Sequence, residues 1–214
     1  MVIIFDVDGT LIDTYPHVRA SYIHVFDTYL PEYKYTEVEL KSFFGPTLPN
    51  TFRTITADEE LVKKLVKAYI DYSKTIVRDY IKLFPNTIET LERLKESGYK
   101  LAVLSNKRTE VIKEQFKILA IDKYFDLIIG YNDVKNPKPH PEGVYLIQER
   151  LAKDVVFIGD SVFDMATAKN AGIIGIGALW ALTSAEELKK AGANYLIKNY
   201  KQLFEILERW ENVR

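Results

Sequence analysis

Short apolar runs that end in polar or glycine residues recur along the chain and predict the strands of one buried sheet. The first run is Val2–Phe5. Continuous apolar runs of strand length are typical of parallel strands that are covered on both faces. Further strands are predicted at residues 100–105, 127–130, 155–159, 173–177 and 195–197.

Apolar residues at helical spacing separate the later runs, so that strands and helices alternate after Phe84. The first helix of this series should end at Gly98, because a glycine that follows a helical pattern is a common C-terminal stop. Such alternation indicates an α/β fold, and we predict a Rossmann-like parallel sheet with helices on both faces. The other helices are predicted at 109–119, 141–151, 163–171, 185–191 and 200–211.

Residues 15–82 differ from the rest because their pattern is helical and shows no strand signal. A short helix opens at Thr36, which has Glu39 at capping-box spacing. Pro49 breaks the pattern before a long helix at 58–80. We therefore predict a small all-helical cap domain inserted into the α/β core. The predicted division is a core of 1–14 and 83–214 with the cap at 15–82.

Composition excludes several classes of protein. The 214 residues suffice for one α/β domain with a small insertion, and contents of 47% hydrophobic and 28% charged residues are ordinary for a globular protein. The net charge of −1 gives no reason to expect nucleic acid or a membrane as a partner. Without cysteine there is no disulfide or thiol chemistry. We read no signal peptide and no membrane span, and expect a cytoplasmic protein.

Two carboxylates follow the first strand. Residues two apart in extended backbone point to the same side, so Asp6 and Asp8 emerge together at the edge where open α/β sheets bind ligands. Gly9 allows a sharp turn. Like charges this close favour a divalent cation or a retained proton, and such a pair can supply a nucleophile and a proton donor. The alternative is two solvated aspartates before a glycine turn.

Three later stretches also carry polar residues near predicted strand ends. Ser105 and the start of the next helix can hold an anionic oxygen, although Ser105 could instead be an N-cap. Lys138 lies between two prolines, which stiffen its loop and aim its ammonium; the alternative is a solvated lysine. Asp160 and Asp164 follow the strand at 155–159 and offer oxygen ligands that suit Mg²⁺, or else they cap a helix.

Taken together, these stretches resemble the four motifs of the haloacid dehalogenase superfamily of phosphatases and phosphomutases. The helical insertion resembles the α-helical cap of the phosphoglycolate-phosphatase-like branch, and Phe-Gly-Pro-Thr-Leu at 44–48 resembles bacterial pyrophosphatases of that branch. The motif stretches are Asp-Val-Asp-Gly-Thr from position 6, Ser-Asn-Lys at 105–107, Lys-Pro-His-Pro-Glu at 138–142 and Gly-Asp-Ser at 159–161.

The resemblance implies a role for each matching residue. Asp6 is the nucleophile that forms an aspartyl-phosphate, and Asp8 protonates the leaving oxygen and later deprotonates the attacking water. Lys138 is catalytic and holds the phosphoryl oxygens together with Ser105. The other implied substrate contacts are Asn106, Gly9 and Thr10. The implied Mg²⁺ site consists of Asp6, Asp8 through its carbonyl, Asp160 and, in support, Asp164.

The implied function is Mg²⁺-dependent hydrolysis of a small phosphate monoester, similar to phosphoglycolate, by a monomer or homodimer. The partner would be a small phosphorylated metabolite, and sugar phosphates and nucleotides stay open. Inorganic pyrophosphate hydrolysis is one alternative. A sugar-phosphate mutase using His17 is another, and a non-enzymatic scaffold protein is a third. Arg53, Lys107 and the 44–47 loop are candidate leaving-group contacts.

Overall fold

The computed structural model of the protein describes residues 1–211, and its centre is a parallel sheet. The strands are β1 (Val2–Phe5), β2 (Ile12–Asp13), β3 (Lys82–Leu83), β4 (Lys100–Leu104), β5 (Leu127–Ile129), β6 (Val155–Gly159), β7 (Ile174–Ala178) and β8 (Tyr195–Ile197). Within the described residues, six of them form one sheet in the order β5–β4–β1–β6–β7–β8, and every neighbouring pair is parallel. The predicted parallel sheet is therefore confirmed.

The helices follow the predicted alternation closely. They are α1 (Tyr15–Tyr29), α2 (Glu37–Ser42), α3 (Leu48–Arg53), α4 (Glu59–Tyr80), α5 (Thr87–Glu96), α6 (Thr109–Ile118), α7 (Glu142–Arg150), α8 (Val162–Ala171), α9 (Ala185–Ala191) and α10 (Tyr200–Glu211). None of the helices in residues 1–211 combines the length and the apolar character needed to cross a membrane.

Side chains of β1 alternate between two apolar layers, as the pleat of a strand requires. Ile3 and Phe5 pack into one cluster, and Val2 and Ile4 pack into a second cluster on the opposite face. The first cluster includes apolar residues of α5, α6 and α10, whereas the second includes residues of α7 and α8. Helices cover both faces of the sheet, as predicted, and β1 is fully buried at its centre.

Helices α1 to α4 pack around an apolar cluster of their own, which is built on aromatic residues such as Tyr22, Phe26 and Phe52. Thr36 and Glu39 form the expected capping box at the start of α2. The chain leaves and re-enters the core through β2 and β3, which pair antiparallel. The division of the chain at positions 14 and 82 stays a prediction.

Candidate active site

Strand order brings the predicted acids together. β4 and β6 flank β1 in parallel register, so their carboxyl ends meet at one edge of the sheet. Asp6 follows β1, Ser105 follows β4 and Asp160 follows β6. Asp6, Asp160 and Asp164 each offer a carboxylate oxygen within 4.8 Å of the others, and all three residues are buried. The sequence could not predict that these carboxylates lie so close together, because their separation depends on which strands are adjacent in the sheet.

Lys138 lies buried against two of these carboxylates. Its Nζ is 2.9 Å from Asp6 Oδ1 and 2.5 Å from Asp164 Oδ1. Three carboxylates against one ammonium leave an excess of two negative charges in a buried cluster. Burial, and next the charge of Asp164, raises the pKa of Asp6 to about 7, although Lys138 acts in the opposite direction. Burial likewise raises the pKa of Asp160 well above its usual range.

Two glycines make room for the carboxylates. Gly9 has a φ of +81°, and a Cβ there would lie 2.2 Å from Asp160 Oδ2. A Cβ on Gly159 would lie 2.3 Å from Asp164 Cγ. Any side chain at either position would displace an acid, so the packing of the cluster requires glycine at both positions.

Asp160 is anchored by the loop that follows β1. Thr10 Oγ1 donates a hydrogen bond of 2.9 Å to Asp160 Oδ1. The carbonyl of Thr10 in turn accepts bonds from Trp180 Nε1 at 3.1 Å and from the Tyr200 hydroxyl at 2.7 Å. Gly9 and Thr10 were expected at the substrate, but the structure places both against Asp160. Both residues support the acid cluster, and a substrate contact by either of them stays a prediction.

Asp8 has partners that the sequence analysis missed. Its Oδ1 accepts a hydrogen bond of 2.5 Å from Thr14 Oγ1 and another from Lys107 Nζ. Lys107 also donates to Gln115 Oε1 at 2.9 Å. Lys107, a predicted leaving-group contact, lines the cavity and there holds the carboxylate of Asp8. The only sequence signal for it was its place in Ser-Asn-Lys.

Ser105 and Asn106 lie at the wall of the cavity that Asp6 and Asp8 open into. Ser105 is not the N-cap of α6, since Arg108 occupies that position. Asn106 Nδ2 donates to the carbonyls of Gly45 and Lys138, both at 3.1 Å. Asn106 therefore ties the lysine loop to the segment that precedes α3.

Asp164 caps a helix and also holds Lys138, whereas its role as a metal ligand stays a prediction. It is the N3 residue of the capping box that starts α8, where its Oδ2 accepts from the backbone and hydroxyl of Ser161 at 2.9 and 2.6 Å. Its Oδ1 faces Lys138. Both oxygens are thus engaged by protein donors.

Other candidates divide between the cavity and the surface. Phe44, Gly45 and Pro46 line the cavity, as does His17, whose Nε2 lies 2.9 Å from the carbonyl of Ser73. Arg53 does not line it. Its guanidinium is about half exposed and pairs with Glu59 at 2.8 Å, which removes the proposed leaving-group contact.

The chemistry of the cluster fits a divalent cation. Carboxylate oxygens are hard ligands of the kind that Mg²⁺ prefers. Asp6 Oδ1 is buried and lies close to Lys138, but it accepts no hydrogen bond from any of residues 1–211. An ion of charge +2 would balance the excess negative charge of the cluster.

A parallel sheet whose central strand ends in an acid pair, with a lysine and further acids converging on it, is typical of an α/β enzyme with a carboxylate-based site. The family model described as haloacid dehalogenase-like hydrolase matches residues 3–178. The chain belongs to this family. The expectations of the family and of an enzyme of phosphatase type are confirmed.

Individual relatives agree with this assignment. A protein of Caldanaerobacter subterraneus, provisionally named pyrophosphatase PpaX, is 34% identical over 96% of this chain and 94% of its own length. A provisionally named haloacid dehalogenase-like hydrolase from Bacteroides fragilis superposes with a TM-score of 0.87 at 30% identity, covering 94% of this chain and 98% of the other. A predicted phosphoglycolate phosphatase from Haemophilus somnus gives a TM-score of 0.83 at 25% identity, with coverage of 96% and 97%.

Proposed function

We propose that the protein is a Mg²⁺-dependent phosphatase that hydrolyses a small phosphate monoester through an aspartyl-phosphate on Asp6. One observation carries the proposal. Three buried carboxylates lie within 4.8 Å of one another beside Lys138, and Asp8 faces the same cavity as Asp6. Phosphoryl transfer needs an in-line nucleophile and concentrated positive charge, and these residues can provide both.

Asp6 and Asp160 would hold the metal ion, together with the backbone carbonyl of Asp8. Asp164 would act mainly by holding Lys138, since protein donors engage both of its oxygens. When bound, Mg²⁺ supplies positive charge that offsets the repulsion between a carboxylate and a phosphate.

In the first step, a carboxylate oxygen of Asp6 attacks phosphorus and the bond from phosphorus to the leaving oxygen breaks. Asp8 gives its proton to the leaving oxygen, so that the product leaves as an alcohol. Water then attacks phosphorus in the aspartyl-phosphate while Asp8 takes its proton. This second step releases phosphate and restores the carboxylate of Asp6.

Lys138 and Ser105 would hold the phosphoryl oxygens during both steps. The ammonium of Lys138 is already fixed by Asp6 and Asp164, so little reorganisation is needed when charge builds up on the phosphoryl group. The hydroxyl of Ser105 is buried at the same cavity wall. Helices α1 to α4 would close over the cavity and exclude water.

Pyrophosphate is the second candidate substrate, because the relative from Caldanaerobacter subterraneus carries a pyrophosphatase name. The relative from Haemophilus somnus bears the name of a phosphoglycolate phosphatase and favours a monoester. A mutase is less well supported, since His17 Nε2 lies at hydrogen-bond distance from the backbone of Ser73.

The test is phosphate release from a panel of phosphate monoesters and pyrophosphate, with Mg²⁺ or with EDTA. We expect turnover that requires Mg²⁺ and that is lost in Asp6→Asn, with circular dichroism showing that the variant is folded. Turnover in EDTA, or normal turnover by the variant, would contradict the proposal.

A further inference from the structure

The cavity beside Asp8 is walled by apolar side chains where the helices α1 to α4 face the core. These side chains come from α1, from the segment before α3, from the start of α3 and from α4. They are Val18, Tyr22, Phe43, Phe44, Leu48, Val66, Tyr69 and Ile70. Asp8, the proposed proton donor to the leaving oxygen, opens into the same space, so this wall faces the leaving group and not the phosphoryl group.

The two inner lysines at this cavity are already paired with carboxylates. Lys138 is held by Asp6 and Asp164, and Lys107 contacts Asp8 and Gln115. A bound Mg²⁺ would bring the acid cluster to neutrality before a phosphoryl group enters. A second anionic group on the leaving side would therefore lie against an apolar wall, and the nearest cation would be the Lys107 ammonium, which Asp8 and Gln115 already hold.

The remaining charged side chains of the cavity lie in solvent. Arg108 is about half exposed and pairs with Glu110 at 3.3 Å. Lys74 and Glu114 are both exposed, and their charges are opposite in sign. Charges in water contribute little to the recognition of an anion, because solvent and salt screen them.

The cavity does offer a buried hydrogen-bond donor, and it is uncharged. Gln115 is 1% exposed and lines the cavity, and its Nε2 has no hydrogen-bond partner among the described residues. A buried amide donor without a partner is unfavourable, so a ligand oxygen in this space would satisfy it. The amide can bind a hydroxyl or ether oxygen, and it brings no positive charge to offset an anion.

From this wall we infer that the leaving group is an uncharged alcohol with an apolar body, in preference to a carboxylate-bearing alcohol or a phosphate. This inference rests on the proposed phosphatase function and narrows it. Contact with the apolar wall would stabilise a bound hydrocarbon surface, whereas an anionic leaving group would lose most of its hydration against that wall. Val66 and its neighbours are thus assigned as specificity-determining residues.

A matched pair of monoesters tests the inference in the wild-type enzyme with Mg²⁺. Benzyl phosphate and 2-phosphoglycolate both release a primary alcohol, so a difference in kcat/KM reports on the cavity and not on leaving-group reactivity. We expect kcat/KM for benzyl phosphate to exceed that for phosphoglycolate and for pyrophosphate by about tenfold or more. A preference for either anionic substrate overturns the inference and leaves the phosphatase proposal standing. Failure to hydrolyse any of the three would overturn both.

A matched pair of variants tests whether the apolar side chains of the cavity cause this substrate preference. Val66→Lys adds a cation to the cavity, and Val38→Lys adds one to α2, where Val38 is 78% exposed. We expect Val66→Lys to lower the ratio of kcat/KM for benzyl phosphate to kcat/KM for phosphoglycolate by about tenfold. The Val38→Lys control should keep the wild-type ratio. Equal ratios in both variants would overturn the assignment of Val66, while the wild-type comparison tests the inference even if Val66→Lys does not fold.

Discussion

Removing one carboxylate charge from the acid cluster should stabilise the metal-free protein. Asp160→Asn keeps an oxygen that can accept the hydrogen bond of Thr10. It abolishes repulsion with Asp6 and Asp164 and gives up attraction to Lys138. Two unit charges 4.8 Å apart interact by about 3 kcal/mol at an effective dielectric constant of about 20. Where all three acids are ionised, two repulsions against one attraction leave a net gain of about 3 kcal/mol; at lower pH a retained proton already relieves part of the repulsion in the wild type.

Thermal unfolding with and without Mg²⁺ measures this gain. A stabilisation of about 3 kcal/mol corresponds to a Tm increase of about 6–12 °C for a protein of this size, measured in EDTA at alkaline pH, where the three acids are ionised. Saturating Mg²⁺ should stabilise the wild type by about 2–3 kcal/mol and should have little effect on Asp160→Asn. Asp71→Asn, on the exposed side of α4, serves as the control. A lower Tm for Asp160→Asn in EDTA would refute the charge argument, since it would mean that the carboxylate stabilises the fold without a metal.

Three further results are expected. Beryllium fluoride with Mg²⁺ should inhibit strongly in steady-state assays, because it imitates an aspartyl-phosphate; indifference to it would count against a covalent step. Thr36→Ala should lower stability by about 1 kcal/mol in urea unfolding, since the hydroxyl caps α2 through Glu39; an unchanged midpoint would mean that the capping box contributes nothing. Burial lowers the pKa of His17 below its ordinary value of 6.5, so the unfolded chain takes up a proton there first and stability falls as pH drops below about 6.5. His17→Gln should flatten that fall in unfolding experiments from pH 7 to 5, and an equally steep fall would contradict the argument.

The order and kind of the main elements were predictable from local pattern. Buried parallel strands produce unbroken apolar runs, and β6 and β8 have the bounds expected from theirs. Two features of the fold were not predicted from the sequence. Strands β2 and β3 have two residues each, too few for any periodicity to appear. Helix α3 was missed because Pro49 was taken as a break, although a proline in the first turn of a helix loses no hydrogen bond.

The site was predictable as a set of strand ends but not as a network. Acids at the ends of β1 and β6 can be read from sequence, because each follows an apolar run directly. Contacts such as Lys107 with Asp8 depend on how the loop after β4 crosses the edge of the sheet, and no local pattern encodes that crossing. Arg53 was assigned to the leaving group for its charge alone, and its partner Glu59, six residues along the chain, holds it at the surface.

Trapping the intermediate tests the central claim most directly. Wild-type enzyme, mixed with its best substrate and Mg²⁺ for less than one turnover, is quenched in acid and reduced with borohydride, which converts an acyl-phosphate into an alcohol. Peptide mass spectrometry then locates the reduced side chain. The proposed mechanism requires homoserine at position 6 in the wild type, and an unmodified residue in Asp6→Asn. Reduction at another residue, or none at all in an enzyme that turns over normally, would contradict it.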